Sequence, residues 1–296
     1  SALKLITLCK DVLVMWQRIK TAIILVLIVG FALFASSMPI FVLPLLAIGV
    51  LIAAHEWTKL MPKCRQPVQF ILAVLIITML SVALPWTWVF WWAVSLGIWV
   101  MATAWVAQYP NKERWYGRRL VYMGAVILTA AITAMYGLWQ MSPWWLMYVF
   151  LLVWCADSGA YFIGRKFGKR KMAPNVSPNK SIEGLCGGLM VSGVVTVAVG
   201  YYLQLSGMSL VLFLILSWLT VLASILGDLF ESMLKRRAGI KDSGTILPGH
   251  GGILDRIDSL LSAIPIFALG FWLLLKLGIF TEVWIKMYFA TMQVPF

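Results

Sequence analysis

The chain alternates long stretches without charge and short stretches crowded with it. Five uncharged runs stand out: Thr21–Ala54 (34 residues), Gln66–Asn111 (46), Leu120–Ala156 (37), Gly184–Gly227 (44) and Ser259–Leu275 (17). A helix that crosses a bilayer needs about 20 apolar residues. Each of the first four runs is long enough for two crossings joined by a turn. Each also carries a turn signal near its middle, at Ser36–Pro39, Pro85, Ser142-Pro143 and Ser206-Gly207. The last run allows one crossing. The pattern predicts an all-α polytopic membrane protein of about nine transmembrane helices, four hairpins followed by a single span.

Composition excludes a soluble domain. Charged residues make up 12% of the chain and hydrophobic residues 62%, against about 25% charged in soluble proteins. The first apolar run is longer than the core of a secretory signal, so no cleavable leader is expected. Cys9, Cys64, Cys155 and Cys186 form no C-x-x-C pair, which argues against a thiolate metal site or a disulfide framework.

Charge then orients the spans. A hairpin returns the chain to the side it left, so the charged connections share one face. Of the 24 Lys and Arg residues, 22 fall on that face. The positive-inside rule makes it cytoplasmic, with the N-terminus inside and the C-terminus on the opposite side. The net charge of +13 suits anionic lipid headgroups or a nucleotide; no nucleic-acid partner is expected. The 16 tryptophans include clusters at Trp86–Trp92 and Trp144-Trp145 near turns, as in an interfacial aromatic belt. No repeat of fixed period supports an inverted-repeat transporter. The chain divides into residues 1–140 (spans one to five), 141–278 (a catalytic region of spans six to nine with two polar connections) and 279–296 (a C-terminal extension).

The 11 acidic residues carry the chemical information. Asp157 ends the sixth span, Asp228 ends the eighth, and Asp255 and Asp258 open the ninth. Ionisable groups at membrane depth are costly and mark functional sites. Helical spacing places Ser224, Asp228, Glu231 and Lys235 on one face, and Asp255 with Asp258 on another. The bland alternative is internal neutralisation, Glu231 by Lys235 and the ninth-span acids by Arg256. It leaves Asp157 and Asp228 without an adjacent base. Carboxylates lacking a His or Cys cluster suit a hard, oxygen-binding cation such as magnesium. Lys235, Arg236, Lys241 and Arg256 stand near them in sequence, and Gly244, Gly249, Gly251 and Gly252 allow backbone N–H groups close to an anion. In the preceding connection, Ser177, Asn179, Lys180 and Ser181 offer donors at the expected start of the seventh span. Together these residues describe a site for transfer chemistry on phosphate esters.

The polar stretch reads Ser232, Leu234, Lys235-Arg236, Lys241-Asp242, Gly244, Leu247-Pro248, His250-Gly251-Gly252, Ile253, Asp255-Arg256, Ile257, Asp258. This spacing resembles the signature of the phosphatidate cytidylyltransferases at every fixed position. The resemblance covers roughly residues 146–265; the N-terminal half resembles the family in span pattern alone. It implies an inner-membrane enzyme of phospholipid biosynthesis, with CTP and bilayer phosphatidate as substrates and CDP-diacylglycerol and pyrophosphate as products. It further implies Mg2+ held by Asp228 and Asp255, with Asp157 as a third candidate, and a monovalent cation such as K+. Asp228, Asp255, Lys241 and Arg256 are the expected catalytic residues. Ser177, Asn179, Lys180, Ser224, Lys235, Arg236, Asp242, His250, Gly251 and Asp258 are expected to bind substrate. Membrane lipids and a second copy of the chain are the other expected partners. Two alternatives stay open: a CTP-dependent transferase or kinase acting on another lipid such as a polyprenol, and an anion transporter, which would place charges in mid-span.

Overall fold

The computed structural model describes residues 23–24, 26–34, 39–61, 65–110, 118–246 and 251–280. Helices dominate: α1 (including residues 26–34), α2 (Val42–Lys59), α3 (Pro67–Ala83), α4 (Trp88–Gln108), α5 (Arg118–Met141), α6 (Pro143–Phe167), α7 (Ile182–Tyr202), α8 (Gly207–Ala238) and α9 (Leu254–Lys276). Among the described residues, seven helical segments are long and apolar enough to cross a membrane, and α3 is a shorter apolar helix of 17 residues. The protein is thus an all-α polytopic membrane protein, as the uncharged runs predict.

The expected turns fall where the chain reverses. A 3-10 turn at Pro85–Thr87 joins α3 to α4. Ser142 caps α6, its hydroxyl accepting the Trp144 N–H, and Pro143 supplies the first helical residue. Ser206 precedes α8. The Ser36–Pro39 turn lies largely outside the described residues.

The connection between α6 and α7 departs from expectation. It forms a two-stranded antiparallel hairpin, β1 (Lys171–Ala173) against β2 (Ser177–Ser181). Ser181 then caps α7, accepting the Gly184 N–H at 3.1 Å. The start of α7 is therefore closed by its own cap.

Helix α5 lies at the centre, packed against α2, α3, α4, α6 and α9. Small residues bring other pairs together. A Cβ on Gly227 of α8 would strike Ser262 Oγ and the Asp258 carbonyl of α9, and Ser262 Oγ donates to the Ala223 carbonyl at 2.7 Å. Such small-residue contacts replace hydrophobic drive where the solvent is lipid. Between α6, α7 and α8, Tyr148 Oη lies 2.7 Å from Ser217 Oγ and 3.1 Å from Thr196 Oγ1. Both hydroxyls also reach a carbonyl of their own helix, so this buried trio closes on itself.

Candidate active site

Helix α8 sets the depth of the site. Its uncharged part, Gly207–Gly227, is followed by Asp228. At 1.5 Å per residue those turns rise about 31 Å, close to the thickness of a bilayer's hydrocarbon core. The next ten residues, to Ala238, extend beyond that length and carry Glu231 and Lys235.

A cavity of about 440 Å³ opens where α6, α8 and α9 approach one another. Asp157, Asp228, Asp255 and Asp258 all line it, with Asp242 from the loop and the bases Lys235 and Arg256. The three apolar runs thus bring their terminal carboxylates together. Val153, Trp154 and Leu260 make an apolar part of the wall.

The charges are connected in a definite order. Lys180, on the hairpin, forms an ion pair with Asp228, which also accepts from Ser232 Oγ at 3.2 Å. Asp157 lies within electrostatic reach of both Lys180 and Asp228. Lys235 bridges two acids, donating to Glu231 Oε2 and Asp255 Oδ1 at 2.8 Å each. Such charge-assisted bonds are the strong ones. Asp258 neighbours Glu231, Asp228 and Lys235. Glu231 Oε1 is buried and has no hydrogen-bond partner.

Asp255 is the most heavily engaged. Besides Lys235, it accepts the Ser243 N–H at 2.9 Å and the Gly252 N–H at 2.8 Å. It therefore ties both ends of the glycine loop to the start of α9. Gly251 adopts φ +81°, a conformation that strains L side chains, and a Cβ there would come within 2.8 Å of Asp255 Oδ2.

Not every expected residue reaches the cavity. Ser224 does not line it: it is fully buried and its hydroxyl donates to the Val221 carbonyl at 2.8 Å. It shares the face of Asp228 but lies one turn deeper, inside the helix contact. Ser177 and Asn179 stand on the hairpin and do not line the cavity; of that segment, Lys180 alone reaches the carboxylates. Arg236 and Lys241 are exposed and do not line it either. His250 lies outside the described residues.

One acid was not anticipated. Glu56, near the end of α2, is fully buried. It accepts the Leu254 N–H at 2.7 Å, the Ile253 N–H at 3.2 Å and the Ser243 hydroxyl at 3.3 Å. A signal was present in the sequence: the first uncharged run ends at His55-Glu56, as the third and fourth end at Asp157 and Asp228.

The cavity suits a bound cation. Its carboxylates outnumber its bases, and the donors they offer are oxygens. Among the described residues no three such side chains are grouped as a complete metal cage. A magnesium ion here would rest on one or two carboxylates and complete its shell with substrate phosphates and water.

Fold and cavity together define an integral membrane protein with a charge-lined site where three helices meet. Comparison with known proteins narrows the class. Residues 16–274 match the model of the cytidylyltransferase family, and the chain belongs to that family. It is 36% identical over 291 residues to the phosphatidate cytidylyltransferase of Haemophilus influenzae, covering 85% of this chain and 96% of that one. It is 42% identical over 262 residues to the protein of the same name from Pseudomonas aeruginosa, covering 86% and 96%. A shorter match to the Bacillus subtilis phosphatidate cytidylyltransferase is 48% identical over 121 residues, 41% of this chain and 45% of that protein.

Proposed function

We infer that this chain is a phosphatidate cytidylyltransferase: it transfers the cytidylyl group of CTP to phosphatidate, giving CDP-diacylglycerol and pyrophosphate. Similarity to proteins of that name over most of the chain supports the reaction. The observation that carries the site is convergence. Lys235, Asp242, Asp255, Arg256 and Asp258 of the signature, and Asp157 and Asp228 from two other stretches, line one cavity.

The chemistry sets clear demands. The phosphatidate oxygen that attacks the α-phosphorus of CTP is already anionic, so no strong general base is needed. The barrier is the approach of one anion to another and the departure of pyrophosphate. Lys235, Arg256 and Lys180 supply positive charge at the cavity, where it counts for more than in water. We assign magnesium to Asp228 and Asp157, two acids of the cavity wall, with substrate phosphates and water to complete its shell. Asp255 could join them only by giving up part of its bonding to Lys235 or the loop. When bound, magnesium supplies charge that screens the triphosphate and stabilises the leaving group; a monovalent cation could take a neighbouring carboxylate. The apolar wall of Val153, Trp154 and Leu260 lets a lipid stay in the bilayer while its phosphate enters the polar part.

The crowding of basic residues into one set of connections supports a cytoplasmic site in a bacterial inner membrane, with the N-terminus inside and the C-terminus outside. CTP would then arrive from the cytoplasm.

Pyrophosphate release by the purified protein in detergent tests the reading. CTP, dCTP, ATP and GTP are supplied in turn with phosphatidate or a polyprenol, with and without magnesium. Release that requires CTP or dCTP, phosphatidate and magnesium together is expected. Release with the polyprenol and none with phosphatidate would overturn the acceptor assignment.

A further inference from the structure

We propose that Glu56 is a positioning residue for the catalytic loop, so that the N-terminal helices are part of the active machinery. The proposal rests on the cytidylyltransferase reading for its activity arm and on geometry alone for the rest. Helix α9 begins at Leu254 without a capping side chain from its own neighbourhood. The missing acceptor comes from Glu56, 198 residues earlier, through the Leu254 N–H. The first turn of a helix leaves backbone donors unsatisfied, and a carboxylate there also complements the helix dipole. Glu56 is therefore the N-terminal cap of α9, supplied from α2.

The same carboxylate grips the loop. It accepts the Ser243 hydroxyl, while Asp255 accepts the Ser243 N–H. One residue of the loop is thus held from two sides, by α2 and by α9. The fit is close: a Cβ on Gly244 would strike Glu56 Oε1, and a Cβ on Gly252 would meet Glu56 Oε2 and Ser243 Oγ. Both glycines belong to the signature, and Glu56 explains why neither can carry a side chain here.

Glu56 is itself aimed. The adjacent Trp57 is buried and donates its indole N–H to the Leu120 carbonyl at 3.1 Å, and its ring lies on Gly124 of α5. This fixes the rotation of α2 about its axis and points Glu56 at α9. Among the described residues no base pairs with Glu56, so its bonds are spent on the loop and the cap. Through them it sets the position of Asp255, and through Asp255 that of Lys235.

The test uses the full-length protein in detergent, with Glu56→Ala, Glu56→Gln and Ser243→Ala. Small displacements of catalytic groups cost about 100-fold, and that is the loss of kcat/KM for CTP expected for Glu56→Ala. Glu56→Gln keeps an acceptor oxygen and should stay within about 10-fold of the parent, the scale of one neutral hydrogen bond against a charged one. Trypsin cleavage after Lys241, followed by mass, should quicken at least about 10-fold in Glu56→Ala, as expected when a locally held segment opens. Cleavage needs no substrate, so it stands even if phosphatidate is not the acceptor. If Glu56→Ala is not recovered folded, Ser243→Ala breaks the same clamp and should quicken cleavage while the protein stays folded. Unchanged cleavage in every recovered variant would overturn the proposal. So would a Glu56→Gln protein as inactive as Glu56→Ala with its loop still protected, since that would place the charge itself in the chemistry.

Discussion

Two polar clusters lie within this apolar bundle, and they are built on opposite terms. The Thr196 and Ser217 hydroxyls donate to carbonyls of their own helices, and the Tyr148 hydroxyl lies between them with its one proton, so all three donors have an acceptor. The cavity cluster gathers more carboxylates than bases, with Asp157, Asp228, Asp242, Asp255 and Asp258 against Lys235 and Arg256. A group that serves only the fold can close its hydrogen bonds internally, and burial penalises any that do not. A group that must receive substrate or metal has to keep capacity in reserve.

The sharpest way to break the comparison is to remove charge from the open cluster. Asp228→Asn keeps shape and should lower turnover by about 1,000-fold, the scale of a lost electrostatic partner at a reacting centre. Its thermal midpoint in detergent should move by no more than about 3 °C. Retained turnover would take Asp228 out of the site. Asp157→Asn should cost about 10- to 100-fold, the usual range for a supporting group at a metal, and should raise the magnesium needed for half-maximal rate. An unchanged magnesium requirement would count against Asp157 as a ligand.

Packing beneath the open cluster comes next. Gly227→Val would force α8 from α9 at Ser262 and the Asp258 backbone. Overpacking of this kind costs about 1–3 kcal/mol, read as an earlier unfolding transition, with activity falling as Asp228 and Asp258 separate. The smallest effect belongs to the closed cluster. Tyr148→Phe should lose about 1 kcal/mol of stability, with pyrophosphate release within about two-fold of the parent. A large loss of rate in that variant would erase the distinction between the clusters.

Much of this was legible in the chain. The uncharged runs anticipated the helices because a bilayer accepts few other patterns. The acids at the ends of three runs marked the cavity because charge is tolerated there only at a boundary or a site. Ser224 shares the face of Asp228 but lies away from the cavity, because helical spacing gives a face and not a depth. The hairpin was invisible because its strands, Lys171–Ala173 and Ser177–Ser181, are mostly polar and lack an alternating apolar pattern. Asp255 was expected as a metal ligand; its bonds to the Gly252 and Ser243 N–H groups, three and twelve residues before it, depend on a loop conformation that spacing does not give. Glu56 was passed over because its partners are nearly two hundred residues away, and its place at the end of an apolar run does not name them.

That distance has a consequence for how the protein is made. Glu56 leaves the ribosome 198 residues before Leu254. At about 5–20 residues per second, roughly 10–40 s of translation separate the acid from its donors. Throughout that interval α2 carries a carboxylate that lipid will not accept, and no segment yet synthesised can satisfy it in the native way. The native cap of α9 therefore forms only after α9 has been made, and its closure joins the ninth helix to the second.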